Sequence, residues 1–325
     1  MSKFTKLIND PVKFVRDSKA FRRYVVGVGA PPKPKPKKAP AKAHPLPTLN
    51  LAQETELSDR DLERIGAERE YFRWRASPEA FERVMGRLGE QIRAFMVECG
   101  FEDRDYLPDV RDFFASYKQN PAVGMRRTTA VGSLLWIFVI ARAAKPKVAV
   151  ESGVYKGASL YTLRSAAPDA QLYGFDIDLT NIVFEGAGIQ FHEGDWSEAF
   201  PKAEGPDDLV YFDDHINNCL RVRQAYDLGF RHLIFDDSPD IGSLHQWRYP
   251  GTPTIQMVVN ETLEPGEWVE WLWKNKRLRY VYDLAHTHGA ADLVEYVGEL
   301  PSLTHLTGCR TGIQTYVRLK RKEDG

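Results

Sequence analysis

Residues 147–160, Lys147-Val-Ala-Val-Glu-Ser-Gly-Val-Tyr-Lys-Gly-Ala-Ser-Leu160, constrain the fold more than any other part of this 325-residue chain. Val148 and Val150 are β-branched and suit a buried strand. Gly153 and Gly157 let the backbone turn and let a helix approach closely, and Ala158-Ser159-Leu160 opens that helix. A strand, a glycine turn and a helix start predict a nucleotide-type pocket in an α/β sheet, but with an acid, Glu151, at the strand's end. A dinucleotide fold sets an anionic pyrophosphate against this turn and helix N-terminus, where a carboxylate repels it. The spacing Gly-x-Gly-x-x-Gly is also absent.

A cationic cofactor without phosphate suits the turn better. S-adenosylmethionine (SAM) is a sulfonium with an amino group and a carboxylate, so Glu151 would attract its cationic end while turn amides meet the carboxylate. Gly153, Gly157 and Ser159 belong to the same expected loop. About 20 residues on, Gln171-Leu-Tyr-Gly-Phe-Asp-Ile-Asp178 predicts a second strand ending in acids, the usual position of a ribose-binding carboxylate, here Asp176. Gly188-Ile-Gln-Phe-His-Glu-Gly-Asp-Trp196 predicts a third strand, whose Asp195 and Trp196 would meet the adenine. Strand ends that only cap helices are the competing reading of these acids; three in order at this spacing favour a binding site.

Two further apolar runs end alike: Leu209-Val-Tyr-Phe-Asp-Asp-His215 and His232-Leu-Ile-Phe-Asp-Asp-Ser238. As adjacent parallel strands they would bring Asp213, Asp214, Asp236 and Asp237 together beside the cofactor, since ligands of open α/β sheets bind outside the carboxyl ends of the strands. Crowded carboxylates cannot all stay ionised without a cation, and an all-oxygen set favours a hard ion such as Mg²⁺. His215 is the candidate base, because a neutral imidazole accepts a proton near neutral pH. The alternative for these aspartates is capping, with a helix expected from Asn217 to Leu228.

Glu-x-Gly-x-x-x-Gly-x-Ser, the Phe-Asp-x-Asp strand end, Gly-Asp-Trp and the paired aspartates resemble the class I SAM-dependent methyltransferases. Within them, residues 120 to 320 are most similar to the metal-dependent sugar O-methyltransferases of the macrocin/mycinamicin type and their cephalosporin-hydroxylase-like relatives. The resemblance implies a doubly wound, Rossmann-like α/β fold with a seven-stranded, mostly parallel sheet. It also implies methyl transfer from SAM to a sugar hydroxyl, with Asp213, Asp236 and Asp237 as metal ligands and with Asp213 and His215 at the reacting centre. Related enzymes place the histidine three residues after the first metal-binding aspartate, whereas here the spacing is two, which leaves open whether ligand and base roles have shifted. Two other readings stay open: hydroxylase-like chemistry on the same scaffold, and a non-catalytic, membrane-associated assembly protein of polysaccharide synthesis.

Charge is uneven. A net charge of -1, with 27% charged residues, gives no general affinity for nucleic acid. Residues 1 to 42, however, hold twelve lysines and arginines against two aspartates. Residues 1–29 read as a basic amphipathic arm, 30–48 as a proline- and lysine-rich linker, 49–120 as a helical region and 121–325 as the methyltransferase domain. The arm is expected to meet an anionic membrane surface or a polysaccharide-synthesis partner. Lys3-x-x-Lys-Leu-Ile-x-Asp-Pro-x-x-Phe-x-x-Asp-Ser-Lys resembles a segment ahead of bacterial capsule and surface-polysaccharide enzymes, which points to a glycan or nucleotide-sugar acceptor. No signal peptide is evident, and Cys99, Cys219 and Cys309 form no disulfide or zinc pattern. The expected setting is therefore the cytoplasm, at the inner face of the membrane.

Helices are expected from Ser58 to about Trp74, from Ser77-Pro78 to Gly100, and over Val131 to Ala144, a run too short to span a bilayer. The first two would roof the site. Arg126 and Arg127 would face solvent or an anionic acceptor. After Ser238 an insertion carries Trp247, Tyr249, Trp268, Trp271 and Trp273; from Trp268 its spacing reads as helical, for packing or a subunit interface of a homo-oligomer. His245 would enter the pocket from this insertion. Ile313 to Lys320 alternates as a final strand.

Overall fold

The apolar runs become strands buried on both faces, as parallel strands must be. The computed structural model describes Trp74 and residues 76–322, apart from 124, 126, 127, 185, 187, 199–201 and 248. The basic arm, the linker, the segment resembling capsule enzymes, the helix from Ser58, and Arg126 and Arg127 lie outside those residues. β1 (Val148–Ser152), β2 (Gln171–Asp176), β3 (Ile189–Glu193), β4 (Leu209–Phe212) and β5 (His232–Asp236) pair in parallel. β8 (Val294–Glu299) and β9 (Gln314–Leu319) complete the sheet in the order β3-β2-β1-β4-β5-β9-β8, with β9 antiparallel to both neighbours. From β1 the chain winds outward through β2 and β3, then returns to β4 and β5 on the other side. The order reverses between β1 and β4, which opens a crevice at the carboxyl ends.

Strand side chains alternate between two cores. Ala149, Leu209, Tyr211 and Ile234 enter one, and Val148, Val150, Val210, Phe212 and Phe235 enter the other. Three helices cover the first face: α1 (Pro78–Glu98), capped by the Ser77 hydroxyl, α2 (Leu107–Tyr117), and α3 (Val131–Ala144). Eleven of the fourteen residues of α3 are buried, which explains a helix apolar on every side: it lies within the core rather than on its surface. Trp136 is fully buried there, and its indole donates to the Pro301 carbonyl at 2.9 Å. α1 and α2 share this core with α3 and the sheet. They cover a face of the sheet and neither lines the cleft, so α1 does not form the roof expected of it, and the other expected roofing helix, from Ser58, lies outside the described residues. Among the described residues no helix is long and apolar enough to cross a membrane.

α4 (Ala158–Ala166) follows the glycine loop, and α5 (Asn218–Asp227) follows β4, capped by Asn217, whose side chain accepts from the Cys219 and Leu220 amides. Burial pushes the Cys99 and Cys219 thiols up to about 12, so both are protonated packing residues. Asp208, wholly buried just before β4, accepts from four backbone amides: Lys147 at 2.7 Å, Val148 at 2.8 Å, Glu204 at 2.6 Å and Gly205 at 2.9 Å. It clasps the entry of β1 to that of β4.

The run from Trp268 is not helical. It forms an antiparallel hairpin outside the main sheet, β6 (Trp268–Trp273) and β7 (Lys276–Val281), turning at Lys274 and Asn275. Period-two burial decides the outcome: Val269 packs on Leu244 and Met257, with Trp271 and Tyr280 alongside, while Trp268, Glu270 and Leu272 face out.

Candidate functional site

The carboxyl ends of β1, β2, β4 and β5 surround a cleft of about 400 Å³. It is lined by Thr128, Thr129, the loop residues Gly153 to Lys156, Ala158, Ser159, Asp176, Asp213, His215, Asp236 and Asp237. Seven described non-glycine residues have positive φ, and three of them, Tyr155 (46°), His215 (57°) and Asp237 (51°), line this cleft. Left-handed backbone at such residues costs on the order of 1–3 kcal/mol each and gathers where geometry serves a ligand.

Gly153 holds the loop open. Its φ is 98°, and a Cβ there would lie 2.4 Å from the Asp213 carbonyl oxygen, so β1 and β4 approach too closely for a side chain. Gly153→Ala is expected to destabilise the fold by about 1–3 kcal/mol. Gly242→Ala, with open space around it, serves as control; denaturant melts of the two compared with the native chain check this, and equal midpoints would refute it.

The expected cofactor residues separate into three groups. Gly153, Ser159 and Asp176 line the cleft. Asp176 accepts from the Tyr155 amide at 2.6 Å and the Asp178 amide at 3.0 Å, fixing the loop after β1 to the end of β2. Glu151 lies beneath the cleft with no exposed surface; Ser159 Oγ donates to its Oε1 at 2.5 Å, and Oε2 is buried with no partner. Burial pushes this carboxyl well above the usual range, Ser159 opposes the shift, and Asp176 and Asp236 add to it. Gly157 is turned toward Phe184, where a Cβ would meet the ring at 2.5 Å.

Asp195 and Trp196 depart from expectation. Trp196 is fully buried, edge-on to Phe212 at 5.0 Å, with its indole donating to Gln224 at 3.0 Å. It packs the core and is not the adenine wall expected of it. Asp195 does not line the cleft. The buried guanidinium of Arg221 grips it, Nη1 at 3.1 Å and Nη2 at 2.5 Å, and also donates from Nε to Asp214 at 2.9 Å. Burial acts to raise Asp195, but Arg221 and the Ser197 amide and hydroxyl hold it down to about 2. Asp214 also accepts from Ser152 Oγ at 2.7 Å. Arg221, unremarked in the sequence, thus ties the ends of β1, β3 and β4 together.

The remaining acids do meet. Asp213, Asp236 and Asp237 face one cleft, and Gln314 Nε2 beside them donates to Tyr211 Oη at 3.3 Å. Burial and mutual repulsion raise Asp213 well above the usual range and Asp237 to about 8; burial raises Asp236 to about 6 against its hydrogen bonds. Arg310 acts electrostatically against the shifts of both Asp236 and Asp237. His215 Nδ1 stands 3.7 Å from Asp237 Oδ2, and burial lowers its pKa, so the imidazole is neutral. No group of three acidic, histidine or cysteine side chains among the described residues is already arranged as a metal cage. His245 is exposed and contributes nothing to the cleft. Tyr155 and Lys156 were legible as part of the glycine loop, whereas Thr128, Thr129 and Arg310 carried no sequence signal.

A mostly parallel sheet ordered β3-β2-β1-β4-β5-β9-β8, with acids at the tips of β1, β2, β4 and β5, is the class I methyltransferase, Rossmann-like fold. No protein-family model matches the chain, and no curated protein does either. Solved structures similar to it include the MycE methyltransferase of the mycinamycin biosynthetic pathway in complex with Mg, SAH and mycinamycin VI, 16% identical over 67% of this chain and 56% of that one, TM-score 0.36. Others are an O-methyltransferase from Bacillus cereus in complex with SAH, 10% identical over 65% and 90% of the two chains, TM-score 0.36, and cmcI-N160 with SAH, 26% identical over 31% and 60%, TM-score 0.27. The chain spans 60% of the length of the cmcI structure and 56% of that of MycE.

Proposed function

We propose that this chain is a SAM-dependent O-methyltransferase acting, with a divalent cation, on a sugar hydroxyl of a bacterial surface polysaccharide or its precursor. The observation that carries the reading is the cleft itself, where a glycine loop over a buried, half-partnered Glu151 opens beside three crowded carboxylates at the tips of adjacent strands. Glu151 fits a cationic donor: burial raises its pKa well above the usual carboxylate range, and a sulfonium or ammonium group above Ser159 would favour its ionised form. Asp176, at the tip of β2 in the cleft, is the carboxylate placed to meet ribose hydroxyls.

Asp213, Asp236 and Asp237 fit a hard cation by donor type. Bound there, a cation supplies a lowered acceptor pKa and a fixed orientation, and SAM supplies the electrophilic methyl group. The chain's own part is alignment and proton movement. Thr128 and Thr129 wall the cleft from the side of α3. His215, held near Asp237, accepts the hydroxyl proton at a ring nitrogen, and the resulting imidazolium is stabilised by the Asp237 carboxylate. The same pair supports a second reading without a cation, in which His215 is the base and Asp237, ionised as pH rises past about 8, stabilises the imidazolium.

Incubation with labelled SAM and glycan extracts, with and without chelator, tests both. Label in a glycan that disappears on chelation and returns with Mg²⁺ supports the metal-assisted reading; transfer indifferent to chelator supports the second. Calorimetry showing no SAM binding would falsify the proposal as a whole, and a product heavier by oxygen rather than CH₂ would replace it with hydroxylase-like chemistry.

A further inference from the structure

The outward face of the β6–β7 hairpin carries an unusual concentration of exposed apolar surface. Leu272 (64%) and Trp268 (52%) are among the most exposed large hydrophobic residues described, and Val281 (49%) pairs with Trp268 across the strands. A two-stranded hairpin is marginal alone and needs a covered face; here only the inner face, through Val269, Trp271 and Tyr280, is covered. Exposed apolar clusters of this kind mark interaction sites.

Charge along the hairpin says what covers the other face. Lys274, Lys276 and Arg277 lie on or beside the turn, Arg277 being paired with Glu270 at 3.2 Å, while Arg279, opposite Glu270 at mid-hairpin, sets its guanidinium 4.1 Å over the Trp268 ring. At the opposite end Glu264 and Glu267 are exposed, and the Tyr282 amide donates to the Glu267 carbonyl at 2.8 Å, which fixes those acids at the base beside Trp268 and Val281. The hairpin is therefore polar along its length, basic at the tip and acidic at the base, with an apolar side chain at each end. A uniformly anionic surface would repel the base. An antiparallel copy of the same hairpin matches it at both ends.

We infer that the β6–β7 hairpin is a self-complementary interface through which two copies of this chain pair about a two-fold axis. In that arrangement each basic tip meets the partner's acidic base, and Leu272 of one copy packs near Trp268 of the other. Such isologous contacts are the commonest way soluble chains associate, and their charge pairing sets orientation and weakens as salt rises.

Sedimentation velocity on the full chain tests this. The native chain should sediment as a dimer at micromolar concentration and shift toward monomer at 1 M salt, and Leu272→Asp should be monomeric. Two charge reversals separate pairing from misfolding: K274E/N275E makes the tip acidic, and E264K/E267K makes the base basic. Each alone should weaken self-association by at least about tenfold, a change of ~1.4 kcal/mol. Mixed together they should form a heterodimer, because the acidic tip of one fits the basic base of the other. A native chain that stays monomeric, reversed variants that dimerise as the native chain does, or a mixture that fails to associate would each overturn the inference. So would hairpin-dependent pelleting with phosphatidylglycerol vesicles in place of self-association.

Discussion

Asp236→Ala is expected to lower methyl transfer by at least about a hundredfold, the upper range for loss of a group that orients a catalytic centre, while SAM binding by calorimetry stays within about twofold. Asp236 ends β5 near Asp213, Tyr211 and Gln314, on the side of the cleft proposed for the acceptor, whereas the loop and Asp176 belong to β1 and β2. Transfer at the native rate would remove Asp236 from the reaction. The same change has a signature that needs no substrate. Burial raises Asp236 to about 6, and burial together with the Asp236 charge raises Asp237 to about 8, against about 4 in an unfolded chain. The folded state then binds more protons than the unfolded one between those values, so the cluster's contribution to stability falls as pH rises from about 4 through 8. Without divalent cation, the difference in melting temperature between pH 5.5 and pH 8.5 should shrink in Asp236→Ala, and Mg²⁺ should raise the native melting point more at pH 8.5 than at pH 5.5. An unchanged pH dependence would show that these carboxyls do not titrate as a crowded group.

Replacing Arg221 with leucine is expected to cost about 3–5 kcal/mol of stability, the range for removing one member of a buried charge network. The Arg221 side chain is 2% exposed, and it holds Asp195 and Asp214 at 2.5 Å and 2.8 Å. Leucine fills the space but leaves the Asp214 carboxylate, 13% exposed, with no counter-charge. Because Asp214 is bonded to Ser152 and lies next to Asp213, loss of the clamp should also loosen both sides of the cleft. Arg221→Lys keeps the charge but lacks the planar fork that spans two carboxylates, and should fall between leucine and native. Asp195 adds a pH test. Its folded pKa is depressed to about 2, so the stability it contributes is present above about 4 and disappears as pH falls toward 2. Urea melts between pH 6 and pH 2.5 should show that loss in the native chain and not in Arg221→Leu; parallel curves would mean that the pair does not couple to folding.

The parallel sheet was legible because each strand carries its own local signature. Val148, Leu209 and His232 open apolar runs that end in acids, and the observed strands start at these residues. α3 spans Val131–Ala144, the bounds expected from its apolar run. The candidate site was legible only at the strand tips. Asp213, Asp236 and Asp237 converge because parallel pairing brings neighbouring tips together, so position in sequence was enough. Trp196 misled because a Gly-Asp-Trp strand end says nothing about which way the indole turns, and the Gln224 amide and Phe212 ring that hold it inside come from β4 and α5. Arg221 was invisible for the same reason: its partners lie 26 and 7 residues away in sequence. The hairpin was misread because tryptophans at 268 and 271 mimic a helical face, while the stronger cue, alternation from Lys276 to Val281, follows the turn.

β9 sits inside the sheet although it follows every other strand in the sequence. It pairs β5 on one side and β8 on the other, and residues 237–313 intervene between β5 and β9. During synthesis the first five strands emerge and can assemble while β5 still presents a bare row of amides and carbonyls. An open edge of that kind templates association with other nascent chains. Fragments ending before Gln314 should therefore collect in inclusion bodies, and a ribosome pause shortly after β5 would prolong the interval in which a chaperone has to shield that edge.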